Sequence, residues 1–165
     1  MELKAGEIMI ELRFPNGKKI NIKHLVLDFN GTIANDGILI AGVKEKMINL
    51  SKILNIHIIT ADTYGTINRQ FNDNNINIEI IEKDFSGEIY KNNFVKNLGK
   101  NNVIAIGNGN NDSKMLKSAV IGIAIIGEEG LSTDCVLNSD IVFNNIFDAL
   151  NIIENVKGLI ATLRK

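Results

Sequence analysis

The sequence predicts an α/β fold, a doubly wound parallel sheet with an N-terminal β-hairpin and no cap domain. Two observations support this prediction. Short β-branched apolar runs alternate with segments whose apolar residues recur at helical spacing, which is typical of a parallel sheet with helices on both faces. Polar residues follow several of these runs directly, as expected at the carboxyl edge of such a sheet. We expect one domain over residues 1–165, with the hairpin in 1–23 and the core in 24–165.

The elements follow in order along the chain. Residues 8–14 alternate apolar and polar side chains before the turn residues Pro15, Asn16 and Gly17, which predicts the hairpin. Core strands are predicted over residues 24–29, 56–60, 77–81, 103–107, 121–125 and 140–143. Helical faces are predicted for Val43, Met47, Leu50 and Leu54, for Ile89, Phe94, Val95 and Leu98, and for one C-terminal helix containing Ile146, Leu150, Ile153 and Val156.

Polar residues at the strand ends form the candidate site, because the carboxyl ends of parallel strands converge on one crevice. A carboxylate nucleophile, a hydroxyl, an ammonium group and a second carboxylate are the groups that phosphoryl transfer through an aspartyl-phosphate needs, with a divalent ion to screen the charge. The residues that supply such groups at the strand ends or on an adjoining helix are Asp28, Asn30, Thr60, Asp62, Lys91, Asn108 and Asp112.

Four segments resemble the haloacid dehalogenase-like (HAD) superfamily and, within it, the phosphorylation domain of P-type ATPases. DFNGT at residues 28–32 resembles DKTGT, and ITAD at 59–62 resembles LTGD. The segment from Lys91 through GNGNND at 107–112 resembles the lysine and G-D-G-x-N-D motifs, and GIAIIG with the later STD and SDIVF resembles the segment that follows them. The resemblance covers residues 24–150 in the family's order.

This resemblance implies a Mg²⁺-dependent phosphohydrolase or phosphotransferase. Asp28 would be the phosphorylated nucleophile, Thr60 would hold a phosphoryl oxygen, and Lys91 would balance the negative charge. Implied metal ligands are Asp28, Asn30 through its backbone carbonyl, Asn108 and Asp112. Implied phosphate-binding residues are Gly31, Thr32, Thr60, Ala61, Lys91 and Asn111.

Two asparagines depart from the family pattern. Asn30 stands where HAD phosphatases carry an acid-base Asp, and a carboxamide does not exchange protons near pH 7. We therefore expect slow hydrolysis, a long-lived phospho-Asp28, and faster turnover in Asn30→Asp. Asn108 stands where the first Asp of the metal motif is expected, so Mg²⁺ should bind more weakly.

The same two asparagines leave a second interpretation open, a protein that binds a phosphorylated ligand or regulates a partner without turnover. Less favoured interpretations are a nicotinamide site at GNGNND, a receiver domain, and zinc bound by His24 or His57. The lone Cys135 is expected to be a buried apolar residue.

Composition and spacing limit the partners. A net charge of -1 argues against nucleic acid, and the lone cysteine and the short apolar runs favour a cytoplasmic protein without a membrane span. The segments between Thr32 and Thr60 and between Thr60 and Lys91 have no room for a nucleotide-binding or cap domain, although ANDGI at 34–38 predicts a small hairpin. A site without a cap favours a homo-oligomer that supplies a lid, and a phosphorylated small molecule or phosphoprotein as substrate.

Overall fold

A computed structural model describes residues 8–61, 65–71 and 75–164 of the chain. The strands are β1 Ile10–Arg13, β2 Lys19–Ile22, β3 His24–Asp28, β4 Ala34–Asn35, β5 Ile38–Leu39, β6 Asn55–Thr60, β7 Ile76–Ile80, β8 Val103–Gly107, β9 Ile121–Ile125 and β10 Ile141–Phe143. The helices are α1 Val43–Leu50, α2 Ile67–Gln70, α3 Gly87–Asn97, α4 Ser113–Ser118, α5 Thr133–Asn138, α6 Ile146–Glu154 and α7 Val156–Leu163, with 3-10 turns at Lys100–Asn102 and Asn110–Asp112.

The centre of the fold is a six-stranded sheet in the order β10-β9-β8-β3-β6-β7. Every neighbouring pair in this sheet is parallel. The chain builds outward from β3 through β6 and β7 on one side and then crosses to β8 on the other. Such a reversal of strand order opens a crevice at the carboxyl ends of the strands on either side of it. The predicted doubly wound fold is confirmed, with strand bounds within one residue of the prediction.

Apolar residues cover both faces of the sheet, as expected for strands that are buried on both sides. On one face Leu25 and Leu27 of β3 belong to a core that also contains Met47 of α1 and Leu150 of α6. On the other face Val26 joins a second core with side chains of α3, α4 and α5, namely Val95, Met115, Leu116 and Cys135. Residues at alternate positions of one strand therefore belong to different layers.

The N-terminal hairpin forms as predicted, with β1 antiparallel to β2 and Ile10 opposite Ile22. Leu12 and Ile22 are fully buried in the same core as β3 and α1, and β1 also contacts α7. Arg13 and Lys19 lie on the exposed face. The apolar face of the hairpin is thus used within the chain itself.

The C-terminal segment differs from the prediction of one helix. Asn155 (φ -89°, ψ 71°) ends α6, and its Oδ1 accepts a hydrogen bond of 3.1 Å from the N–H of Gly158, as an N-cap side chain does. Val156 therefore begins a second helix, because the Asn155 side chain replaces the helical partner of this N–H group.

A small hairpin, the flap, is formed by β4 and β5 directly after the Asp28 loop. Asp36 (φ 49°) and Gly37 (φ 76°) form its turn, both left-handed as a tight two-residue turn requires. Gln70 of α2 accepts from the N–H of Leu39 and donates to the carbonyl of Gly37, both at 2.7 Å, which ties the flap to the body of the fold. No cap domain is inserted in the described part of the chain. Among the described helices, none has the length and apolar character that crossing a membrane requires.

Candidate active site

The loop that follows β3 presents Asp28 at the carboxyl edge of the sheet. It turns sharply, since the carbonyl of Phe29 accepts hydrogen bonds from the N–H groups of Ile33 (2.9 Å) and Ala34 (3.0 Å). Gly31 has φ 77°, and a Cβ there would overlap the side chain of Asn108. Glycine is therefore needed both for its left-handed conformation and for the close approach of the loops after β3 and β8.

Lys91 forms the charged centre of the site. Its Nζ lies 2.5 Å from Oδ1 of Asp28 and 2.6 Å from Oδ1 of Asp112, and all three residues are buried. Burial opposes the positive charge of Lys91, yet the two carboxylates together raise its pKa, so it stays protonated. Burial, followed by the nearby charge of Asp112, raises the pKa of Asp28 to about 6, with Lys91 acting in the opposite direction.

Asp112 also organises the loop after β8. Its Oδ2 accepts hydrogen bonds from the N–H groups of Asn108 (3.1 Å) and Gly109 (3.0 Å). Gly107 permits this arrangement, because a Cβ there would lie 2.6 Å from Cγ of Asp112. Asp112 is 0% exposed, so it acts on the site from behind Lys91 and through the backbone of this loop.

A cavity of about 230 Å³ opens in front of these groups. Its size suits a phosphoryl group with a small substituent better than a drug-sized ligand. Its wall consists of Asp28, Asn30, Thr60, Ala61, Ile81, Gly87, Lys91, Asn108, Gly109, Asn111 and Glu129.

Seven of the ten predicted site residues therefore line one cavity. Gly31, Thr32 and Asp112 lie outside its wall. Asp62, which the strand-end pattern also indicated, lies outside the described residues.

The side chain of Asn30 is held by the flap. Its Oδ1 accepts a hydrogen bond of 2.8 Å from the N–H of Gly37 in the flap turn. The carboxamide thus keeps an acceptor function that an Asp at this position would share, and it lacks the proton that a carboxylic acid could transfer.

The oxygen atoms of the site are of the kind that Mg²⁺ prefers. The Thr32 hydroxyl lies 3.2 Å from Oδ2 of Asp28 and 3.3 Å from Oδ1 of Asn108, so one hydroxyl bridges two prospective ligand oxygens from different strands. Within the described ranges, no group of three or more His, Cys, Asp or Glu side chains is placed to hold a metal. The donor set fits a hard cation, although it contains fewer negative charges than an all-carboxylate site.

Glu129 is a member of the cavity wall that the sequence motifs did not indicate. It follows β9, the neighbour of β8 in the sheet. The rule that strand ends deliver functional side chains, applied to β9 as it was to β3, β6 and β8, would have drawn attention to the GEEG segment at residues 127–130.

His24, His57 and Cys135 lie away from the cavity wall. His24 and His57 share a hydrogen bond of 3.1 Å between Nδ1 and Nε2, and burial, followed by the charge of His24, lowers the pKa of His57 to about 4. Cys135 is buried as expected, and its Sγ donates to the carbonyl of Gly109 at 2.9 Å. Burial raises the pKa of this thiol to about 11, which argues against a nucleophilic role.

The chain is similar in sequence to a known protein family and to individual known proteins. A family model described as haloacid dehalogenase-like hydrolase matches residues 37–127, more than half of the chain. The uncharacterized protein MJ0073 of Methanocaldococcus jannaschii is 46% identical over 87 residues, which cover 50% of this chain and 94% of that protein.

Solved structures show the same architecture. A 3-deoxy-D-manno-octulosonate 8-phosphate phosphatase from Moraxella catarrhalis, in complex with magnesium, phosphate and KDO, has a TM-score of 0.61 at 19% identity and covers 87% of this chain and 94% of its own. The cobalt-bound deoxy-D-mannose-octulosonate 8-phosphate phosphatase from Haemophilus influenzae has a TM-score of 0.61 at 14% identity, with coverages of 83% and 90%. At these identities the likeness shows a shared fold, and the family match shows more: the chain belongs to the haloacid dehalogenase-like hydrolases.

Proposed function

We propose that this chain is a Mg²⁺-dependent phosphohydrolase or phosphotransferase that works through an aspartyl-phosphate on Asp28. One observation carries the proposal: Lys91 pairs with both Asp28 and Asp112 at a cavity of phosphoryl size. A buried ammonium group that contacts a cavity-lining carboxylate neutralises it in the free protein. The same ammonium group offsets the additional negative charge when a phosphoryl group arrives.

In this mechanism an Asp28 oxygen attacks phosphorus and the bond from phosphorus to the leaving oxygen breaks. Thr60 and Asn111 line the cavity, and their hydroxyl and amide groups would hold phosphoryl oxygens. Gly87, the first residue of the 11-residue helix α3, also lines it, so the N–H groups at this helix end would favour an anion. Asn30 does not protonate the leaving group, which predicts slow reaction with poor leaving groups.

The oxygens of Asp28, the Asn30 backbone and Asn108, all from residues of the cavity wall, would hold the metal. Asp112, the fourth ligand that the resemblance implies, has its two oxygens bonded to Lys91 and to the N–H groups of Asn108 and Gly109, so it would hold the metal only after giving up one of these partners. When bound, a divalent ion supplies charge screening between the carboxylate and the phosphoryl group and makes phosphorus easier to attack. The Asn108 amide contributes no negative charge, which predicts weaker binding than a carboxylate at this position would give.

The substrate is proposed to be a phosphorylated small molecule or an exposed phosphoryl group on a protein. The cavity accommodates little beyond the phosphoryl group, and in the described residues no cap covers it. A second copy of the chain would supply the missing lid in a homo-oligomer. Light scattering after size-exclusion chromatography measures the mass that tests this arrangement.

A second candidate function is binding of a phosphorylated ligand without turnover. Asn30 and Asn108 both use their amides to hold neighbouring loops, through Gly37 and Gly130, as expected of residues kept for structure. This function keeps the phosphate-binding groups and needs neither a nucleophile nor a proton donor.

One experiment separates these functions. Release of p-nitrophenol from p-nitrophenyl phosphate is measured with and without Mg²⁺ for the wild type, Asp28→Asn and the exposed control Asp134→Asn. If the protein is an enzyme, p-nitrophenol release should depend on Mg²⁺ and should be lost only in Asp28→Asn. Absence of release from the wild type, with phosphate binding retained in Asp28→Asn by calorimetry, would establish the binding function instead.

A further inference from the structure

Glu129 occupies a tight turn at the mouth of the cavity. The N–H of Gly130 donates to the carbonyl of Gly127 at 3.0 Å, which closes a turn with Glu128 and Glu129 at its centre. Gly130 has φ 86°, a left-handed conformation that glycine adopts readily. Glu129 lines the catalytic cavity, whereas Glu128 does not.

Both ends of this turn are attached to the catalytic loops. Gly127 packs against the carbonyl of Gly31 so closely that a Cβ at residue 127 would overlap it. At the other end, Nδ2 of Asn108 donates to the carbonyl of Gly130 at 3.2 Å. The loops after β3 and β8 therefore determine where the turn lies, and the turn places Glu129 on the cavity wall.

This arrangement gives a physical reason for the asparagine at position 108. The carbonyl of Gly130 can only accept a hydrogen bond, and an Asp carboxylate at residue 108 would have none to donate. With asparagine at position 108 the site has one carboxylate fewer than the family pattern. The Asn108 amide in turn holds, through Gly130, the turn that brings Glu129 to the cavity wall.

Few described groups on the cavity wall can exchange a proton. They are Asp28, Lys91 and Glu129. Asp28 is the proposed nucleophile, and the Lys91 ammonium group is engaged in ion pairs with Asp28 and Asp112. Glu129 is the remaining group on the described cavity wall that can accept a proton. The position that carries the acid-base Asp in HAD phosphatases holds a carboxamide here, Asn30.

We propose that Glu129 is the general base for hydrolysis of phospho-Asp28, an inference that rests on the proposed function. In this step the oxygen of a water molecule forms a bond to phosphorus, and the bond between phosphorus and the Asp28 oxygen breaks. Asp28 leaves with the electron pair as a carboxylate. The proton of the water passes to the Glu129 carboxylate, which later releases it to solvent, and inorganic phosphate is the product.

Pre-steady-state kinetics with p-nitrophenyl phosphate and Mg²⁺ test this role, because p-nitrophenolate leaves without a proton and the first step does not need the base. In Glu129→Gln we expect a burst of p-nitrophenol at the wild-type rate, a steady-state rate at least about 10²-fold lower, and phosphorylated protein in the intact mass after acid quenching. Glu128→Gln, the neighbour in the same turn, should behave as the wild type.

A rescue experiment separates catalysis from a structural effect. Adding Asn30→Asp to Glu129→Gln supplies a carboxylate at the family's usual position, so the steady-state rate should recover by about tenfold or more. Burst and steady-state rates that fall together in Glu129→Gln without rescue would show a structural role and overturn the inference.

Two further outcomes also overturn it. One is turnover in Glu129→Gln equal to that in Glu128→Gln, and the other is accumulation of phosphorylated protein in Asp62→Asn rather than in Glu129→Gln. A wild type with neither burst nor turnover would refute the proposed function itself and, with it, this role. The two failures are therefore distinguishable.

Discussion

Replacing Lys91 with Met tests the charged centre of the site independently of catalysis. Methionine keeps a long unbranched side chain and removes the charge that lies 2.5 Å from Asp28 and 2.6 Å from Asp112. Removing one partner from a buried ion pair typically costs about 3 to 5 kcal/mol. Asp28 can limit the loss by taking up a proton, so we expect a decrease of about 3 kcal/mol in the free energy of unfolding at pH 8.

Urea unfolding followed by circular dichroism, in buffer with a chelator, measures this loss. The control is Lys114→Met, because Lys114 pairs with Glu88 at the surface at 2.9 Å, and such exposed pairs contribute about 0 to 1 kcal/mol. The double variant Lys91→Met/Asp28→Asn should regain part of the lost stability, since it also removes one of the two carboxylates.

The effect of Lys91→Met should depend on pH with a definite sign. Without the ammonium group the pKa of Asp28 rises above its value of about 6, while that of the unfolded chain stays near 3.8. A carboxyl group whose pKa is raised by folding destabilises the fold at high pH. The loss of stability caused by Lys91→Met should therefore become smaller as pH falls and Asp28 is protonated. A loss no larger than that of Lys114→Met, or one that grows on acidification, would contradict this account of the site.

Three further predictions concern single residues. Asn30→Asp should raise turnover of an alkyl phosphate by about tenfold or more and change that of p-nitrophenyl phosphate much less, since only the alkoxide needs a proton to leave; equal rates of variant and wild type with the alkyl phosphate would exclude this. Asn108→Asp should bind Mg²⁺ more tightly by calorimetry and unfold at lower urea, because it adds a charge and loses the bond to Gly130. The pKa of His57 is about 4 in the fold and near 6.5 in the unfolded chain, so the unfolded chain takes up a proton first as pH falls. The free energy of unfolding should therefore decrease by on the order of 1 kcal/mol between pH 6.5 and 5, and His57→Leu should reduce this pH dependence in urea titrations.

The parallel sheet could be predicted from local patterns because each core strand is a short apolar run bounded by polar or glycine residues. Asp28, Thr60 and Asn108 could be placed in one site by the same reasoning, since strand ends of a parallel sheet meet at one edge. The flap turn at Asp36 and Gly37 was predictable because few residues adopt the left-handed conformation.

Contacts between distant segments were not predictable from such patterns. The break at Asn155 depends on its side chain replacing a helical hydrogen bond, which helical periodicity does not reveal. Apolar spacing also carries no information about Gln70, which ties the flap to α2 through two hydrogen bonds. The end of β9 indicates the GEEG segment, but the choice of Glu129 rather than Glu128 as the residue on the cavity wall depends on contacts of this turn with Gly31 and Asn108, in other loops.

The ion pairs of Lys91 have a consequence for the order of folding. They connect residues 63 positions apart, in the case of Asp28, and 21 positions apart, in the case of Asp112. Contacts of long sequence separation form after much loop entropy has been lost, and they follow local helices and turns in time. Burying an ammonium group is favourable only once both carboxylates are beside it. Assembly of the charged centre should thus coincide with the final docking of the sheet, and a probe at Lys91 would report the native state rather than a collapsed intermediate.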